Sequence, residues 1–222
     1  MADKIPAEVR FTSIDCRAIY KEPIIQRWNK SGEITQAVFR ALREWNLSLD
    51  QVSETPTAAN LGEVVTTFQL LQGRFVFRVG LGFASLFVWN PLKPEVDLIE
   101  RMSTAGIEAV RLSAQVELDR YELTLDMHAA PTGRTISEVT RPLVAPALAN
   151  WIGDDLGAYG FRVHKSDTLW HVDSSDAFAD SLFLRVSRRF APGTAIGEMA
   201  AAIRSEEANL LNILGLSVAG VS

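Results

Sequence analysis

Residues 74–90 read Arg74-Phe75-Val76-Phe77-Arg78-Val79-Gly80-Leu81-Gly82-Phe83-Ala84-Ser85-Leu86-Phe87-Val88-Trp89-Asn90, and this stretch decides the fold. Successive side chains of a strand point to opposite faces. Phe75, Phe77, Val79 and Leu81 share one phase, while Val76 keeps the other from being fully polar. Past the glycines, Phe83, Phe87 and Trp89 lie on one side and Ala84, Leu86 and Val88 on the other. The pattern predicts two strands, over 74–81 and 83–90. Helices on one sheet face require apolar residues only at every second position. The second strand is apolar on both sides, so both of its faces want cover.

Gly80-Leu81-Gly82-Phe83-Ala84 invites comparison with a dinucleotide-binding loop, but that loop leads from a strand into a helix. Strand residues follow here, and the glycines are assigned to a bend or tight turn. Upstream, residues 63–71 alternate in the same way and join 74–81 through Gln72-Gly73, a hairpin signal. Residues 46–61, with Pro56 and Asn60, read as a polar loop containing a short edge strand. Ile34, Val38, Ala41, Leu42 and Trp45 recur at helical spacing, with Ser31 as N-cap. A first strand covers 8–20. Its phase changes between Val9/Phe11 and Ile14/Cys16/Ala18/Tyr20, which predicts a bulge near Thr12-Ser13. Downstream, Pro94 opens a helix whose apolar positions are Val96, Ile99, Met102, Gly106 and Ala109 or Val110.

The remainder repeats this order. A strand at 115–129 puts Tyr121, Leu123, Leu125 and Met127 on one face. Thr135 and Glu138 form a capping box for a helix reaching about residue 152, which Pro142 and Pro146 must kink or split. Strands follow at 159–165, 168–173 and 181–190. A closing helix over 195–214 lies between Thr194 and Gly215. Corresponding elements are about 100 residues apart, and Ser85-Leu86-Phe87-Val88 matches Ser181-Leu182-Phe183-Leu184. The prediction is an α+β protein of two similar β-α-β-β-(β)-α halves, 1–112 and 113–222, forming one curved antiparallel sheet with helices on one face. This order is similar to the saddle of the TATA-box-binding protein. The resemblance is one of layout, with no shared motif, and it transfers no function.

Bulk properties narrow the function classes. The 222 residues fit one large domain or two intimately joined halves. With 22 Lys+Arg against 27 Asp+Glu, the net charge is −5 and the pI about 5.3. Nucleic-acid binding draws on a basic excess that this chain lacks, so nucleic acid is not an expected partner. A mean hydropathy of +0.08 leaves apolar surface for an interface. The single cysteine, Cys16, excludes an intramolecular disulfide and a Cys-rich zinc site. Met1-Ala2-Asp3-Lys4 leads into no apolar leader, and no apolar run reaches the ~18–20 residues of a membrane span. The expectation is a cytoplasmic protein with no membrane partner.

Three clusters and one lone cysteine carry residue types fit for chemistry. Glu122, Thr124, Asp126 and His128 share one face of the 115–129 strand and could ligate a metal or move protons; a solvated strand face explains them as well. His164, Asp167, His171, Asp173, Asp176 and Asp180 lack the calcium-loop pattern and suit a polar hairpin with an acidic connection. Arg185, Arg188 and Arg189 form the one dense basic cluster, fit for a phosphate, a carboxylate or an acidic partner, with nearby aspartates as an internal alternative. Cys16 reads as a buried, inert thiol rather than a nucleophile. The apolar 210–221 stretch reads as a helix end with a packed tail. No P-loop, nucleophile elbow or zinc-protease helix occurs. Neither cofactor nor metal is predicted.

The resulting expectation is a non-enzymatic protein-binding or scaffolding module, self-associating or held in a complex. Its predicted binding residues are Phe83, Phe87, Trp89, Arg185, Arg188 and Arg189. The alternative is a small-molecule binder or minor enzyme with its pocket in the hollow of the sheet. There the aromatics would form the wall, and Arg185 or Arg189 would anchor an apolar or anionic ligand. The competing explanation for the two-sided strand is that the 46–61 loop or the C-terminal tail folds over it.

Overall fold

The computed structural model describes residues 4–24, 26–55, 64–145 and 160–218. Among these, ten strands form one open antiparallel sheet accompanied by four α-helices, an α+β architecture. The strands are β1 (Ile5–Tyr20), β2 (Val52–Glu54), β3 (Thr66–Leu70), β4 (Phe75–Val79), β5 (Phe83–Trp89), β6 (Leu118–Pro131), β7 (Phe161–Lys165), β8 (Thr168–Ser174), β9 (Leu182–Phe190) and β10 (Leu216–Val218). The helices are α1 (Gln26–Leu42), α2 (Val96–Ala114), α3 (Ile136–Thr140) and α4 (Ile196–Ile213). The strand order is β2-β3-β4-β5-β1-β6-β9-β8-β7, with β10 added parallel to the start of β1. Outward from the middle, β1 is followed by β5, β4 and β3, and β6 by β9, β8 and β7. No helix among the described residues is long and apolar enough to cross a membrane.

Two compact units are built from interleaved stretches of chain. One comprises residues 13–123 and 189–200, the other 1–12, 124–188 and 201–222. In the first, the core unites Ala18, Phe68, Leu70, Phe75, Phe77, Val79, Ala84, Leu86 and Val88 from the strands with Ile34, Val38 and Leu42 of α1 and Ile99, Met102, Ile107 and Val110 of α2. These are the alternate residues of β3, β4 and β5, so both helices cover the same face. Gly106 is required at the closest approach: a Cβ there would lie 2.5 Å from the ring of buried Phe77. In the second unit, Val172, Leu182, Leu184 and Val186 are buried, as are Ile203 and Leu210 of α4 and Leu214 just after it.

Local signals explain most boundaries. The Gln72-Gly73 hairpin closes through Leu71, Gln72 and Gly73, all with positive φ. The Gly80–Gly82 segment is a tight turn, with Gly80 N–H donating to the Phe83 carbonyl at 2.9 Å; a Cβ at Gly80 would strike the Phe83 ring. The expected edge strand is β2, paired with β3. Pro94 sits in a 3-10 turn, Lys93–Glu95, ahead of α2 rather than in its first α-helical turn. Gly215, at φ +66°, ends α4.

Two expectations change. α1 begins at Gln26, five residues before the expected cap at Ser31, because nothing between Pro23 and Ser31 disfavours helix. β1 runs from Ile5 to Tyr20, and its buried positions change phase between Ala7/Ser13 and Cys16/Ala18/Tyr20, while Phe11 sits against His128 of β6. The Thr135–Glu138 capping box is present, with the Glu138 amide donating to Thr135 Oγ1 at 3.2 Å. Its helix, however, ends at Thr140 and passes into a 3-10 turn, Arg141–Leu143, that carries Pro142. The rest of that expected helix, including Pro146, lies outside the described residues, as do Pro56, Asn60 and the tail after Val218.

Candidate functional site

The face of β5 turned away from α1 and α2 carries Phe83, Ser85, Phe87 and Trp89. Phe83 and Phe87 are partly exposed and Trp89 is 39% exposed. Register brings β1 and β4 alongside: Ile19 opposes Phe83, Arg17 opposes Ser85, Asp15 opposes Phe87 and Ser13 opposes Trp89, while Arg78 and Val76 flank Ser85 and Phe87. The Arg17 guanidinium lies 4.7 Å from the Phe83 ring centre and that of Arg78 5.2 Å from Phe87. Phe87 and Trp89 meet edge to face at 4.4 Å. Such contacts combine ring burial with cation–π attraction.

Beneath the two guanidiniums lies a small polar floor. Arg17 Nη2 donates to Asp15 Oδ2 at 3.0 Å. Burial raises the Asp15 pKa, with Arg17, Arg78 and the Ser85 hydroxyl opposing the shift. Ser85 is fully buried. Arg17 Nε is buried without a hydrogen-bond partner among the described residues. Arg78 is half-buried and has no carboxylate within ion-pair distance among those residues. The arrangement can present flat apolar surface and a cation side by side.

The three predicted arginines lie elsewhere, on β9, which stands three places from β5 in the strand order. Arg185 donates to Asp126 through Nε at 2.6 Å and Nη2 at 2.8 Å, a two-pronged pair, and its guanidinium lies 5.2 Å from the Phe183 ring centre. Ser187 bonds Thr124 at 2.9 Å, and Arg189 Nε approaches Glu122 at 3.3 Å. Arg188 points to the opposite face, towards Glu206 of α4 at 3.9 Å. The acidic face of β6 and the basic cluster of β9, separate in sequence, are thus one ladder of partnered residues. Among the described residues no group of three His, Cys, Asp or Glu is placed to hold a metal ion.

His128 stands at the end of that ladder inside three rings: Phe178 at 5.1 Å, Phe183 at 5.2 Å and Phe11 at 5.7 Å. Its Nδ1 is 2.7 Å from Ser175 Oγ. Partial burial lowers its pKa, against the pull of Asp126. His171 lies 3.8 Å from Asp173 and edge-on to Phe183. Cys16 is fully buried, its thiol pushed up to about 12 by desolvation, so it stays protonated at neutral pH.

A separate open cleft of about 470 Å³ is lined by Glu108, Arg111, Glu117, Leu118, Tyr121 and the 192–194 turn. Arg111 is held by Glu108 at 2.7 Å and Glu117 by Lys21 at 2.7 Å. The Tyr20 hydroxyl, buried and without a hydrogen-bond partner among the described residues, is electrostatically coupled to Tyr121, Glu108 and Arg111. Burial raises its pKa, leaving it a phenol and a donor.

The sequence reading missed Asp15, Arg17 and Arg78. Their signal was the alternation itself, since each occupies the phase opposite the core residues of β1 or β4. The cleft depends on the 192–194 turn meeting the end of α2, and no local pattern announces that.

No protein-family model matches the chain, and no curated protein matches it in sequence. Among solved structures it is similar, at 11% identity and a TM-score of 0.26, to the class II 3-hydroxy-3-methylglutaryl-CoA reductase from Streptococcus pneumoniae bound to NADPH. That match covers 94% of this chain and 62% of the reductase chain. A likeness at this level carries no argument about fold or function.

Proposed function

We propose that the protein is a non-enzymatic, cytoplasmic binding module that docks a protein partner on the open face of β4, β5 and β1. The observation that carries this reading is the half-exposed row Phe83, Phe87 and Trp89, with the Arg17 and Arg78 guanidiniums laid over the phenylalanines. Trp and Arg are the side chains enriched among energetically dominant interface residues. Arg78, which feels the charge of Asp15 but makes no ion pair among the described residues, favours a partner that presents an acidic side chain beside an apolar one. The test is isolation of tagged wild-type protein and a Trp89→Ala/Arg78→Glu variant at endogenous level, followed by reconstitution with the purified partner. Loss of one protein from the variant, with reconstituted affinity reduced at least ~30-fold, is the expected result. Identical companions for both chains, or a wild-type monomer with none, removes the reading.

A second reading rests on the cleft. Its size is that of small-ligand sites, and Arg111 and Tyr121 line it, which favours a ligand that joins an anionic group to an apolar body. Native mass spectrometry decides this: retained mass that is present in wild type and lost in Arg111→Ala supports it, and equal masses dismiss it.

A further inference from the structure

The connection between β8 and β9 is organised around one hydroxyl. Ser175 Oγ accepts hydrogen bonds from the main-chain N–H of Ala177 at 3.2 Å and of Phe178 at 3.0 Å. It also lies 2.7 Å from His128 Nδ1. A serine hydroxyl has two acceptor lone pairs and one proton. Both lone pairs are committed to main-chain donors, so its proton is directed at Nδ1. His128 therefore accepts through Nδ1, and the neutral ring carries its own proton on Nε2. The turn that this hydroxyl closes fixes Phe178, which stacks on Phe11 at 6.4 Å with an interplanar angle of 24° and stands edge-on to His128.

We propose that His128 and Ser175 form a proton-operated latch: protonation of His128 opens the Ser175 turn and lifts Phe178 off Phe11, uncovering an aromatic seat on this face. The proton comes from solvent and takes the Nδ1 lone pair. The imidazolium then offers N–H where it had offered an acceptor, and it meets a hydroxyl whose lone pairs are both in use. Ser175 can receive the new donor only by surrendering Ala177 or Phe178. Once that bond is lost, the turn that fixes the ring of Phe178 on Phe11 is loosened.

The surroundings set where the latch responds. Asp126, on the same strand, favours the charged ring, but Arg185 of β9 engages both of its oxygens. On β8, His171 lies across Phe183 from His128 and faces Asp173. The connection itself carries Asp176 and Asp180, and β1 contributes Phe11, whose neighbours in phase, Val9 and Ser13, do not titrate. Desolvation outweighs Asp126 and holds His128 below its ordinary value of 6.5. The latch is closed at neutral pH and opens in mild acid.

Hydrogen exchange of the full-length protein, read as protection factors so that intrinsic exchange rates cancel, tests this between pH 7.5 and 5. The amides of Ala177 and Phe178 should lose protection roughly tenfold, the loss expected for one hydrogen bond. The midpoint should coincide with the His128 ring titration followed by NMR. His128→Asn places an amide oxygen near the Nδ1 position and takes up no proton, so protection there should persist across the range. Ser175→Ala, a change in an exposed connection, should give low protection at every pH. Unchanged protection in wild type while His128 titrates, or an equal acid-induced loss in either variant, overturns the proposal.

Discussion

β5 and β9 occupy matching stations, each beside one of the two long middle strands, and each buries alternate residues while leaving the others on an open face. The short match of Ser85–Val88 with Ser181–Leu184 sets Phe87 against Phe183 and Trp89 against Arg185. Their outcomes differ because their neighbours differ. β6 answers β9 residue for residue, with Glu122 to Arg189, Thr124 to Ser187 and Asp126 to Arg185. β1 offers β5 one carboxylate and one guanidinium, already bonded to each other, and arginines lie over Phe83 and Phe87. The β9 face is closed by complementary side chains, whereas the β5 face keeps a partly exposed aromatic row. The comparison teaches that cross-strand chemistry, rather than strand composition, separates the two.

The largest effect that would calibrate this contrast is on the helix-covered side of the same hairpin. Phe77→Ala should cost about 3–5 kcal/mol in chemical denaturation, since the ring is fully buried against α2. A cost near that of a surface change would mean that the two faces of β4 were misassigned. Glu207 comes next. Its side chain is buried on α4, and desolvation raises its pKa from 4.5 to about 7. The folded state thus holds its proton more tightly than the unfolded chain does. Stability associated with the neutral acid is complete below about pH 4.5 and declines as pH rises through 7. Glu207→Gln should flatten that decline and gain roughly 1–3 kcal/mol at pH 8, as read from urea midpoints across pH. Unaltered pH dependence in the variant would refute the assignment.

Within the ladder itself, Asp126→Ala should lose about 1–3 kcal/mol, less than a fully buried pair because Arg185 is partly exposed. A double-mutant cycle with Arg185→Met isolates the coupling, and a value near zero would make the ladder ornamental. The smallest change should come from Trp89→Ala: stability within about 0.5 kcal/mol of wild type by the same denaturation assay. A loss comparable to that of Asp126→Ala would show that Trp89 supports the fold and would erase the contrast between the strands.

The sheet was legible because its period-two signals are strong: β4 and β5 were bounded nearly to the residue from Phe75, Phe77, Leu86 and Val88. Their glycine turns were equally plain. The start of α1 was not, because Ser31 is a good cap residue that the helix runs through. At the candidate site the aromatic row is visible, while Arg17 and Arg78 look in sequence like any polar residue alternating with core positions. The Arg185–Arg189 cluster had the opposite fate. It stood out in one dimension, yet its carboxylate partners are about 60 residues away in sequence and become neighbours only when β6 and β9 pair.

The interleaving of the two compact units has a consequence for biosynthesis. The unit dominated by residues 13–123 also contains residues 189–200, and its companion gathers residues 1–12 with 124–188 and 201–222. A nascent chain that has just emerged through Leu123 therefore lacks part of the first unit, and β1 waits for β10 until residues 216–218 have emerged. Neither unit can be finished vectorially: the first closes only once residues 189–200 are out, and its companion later still.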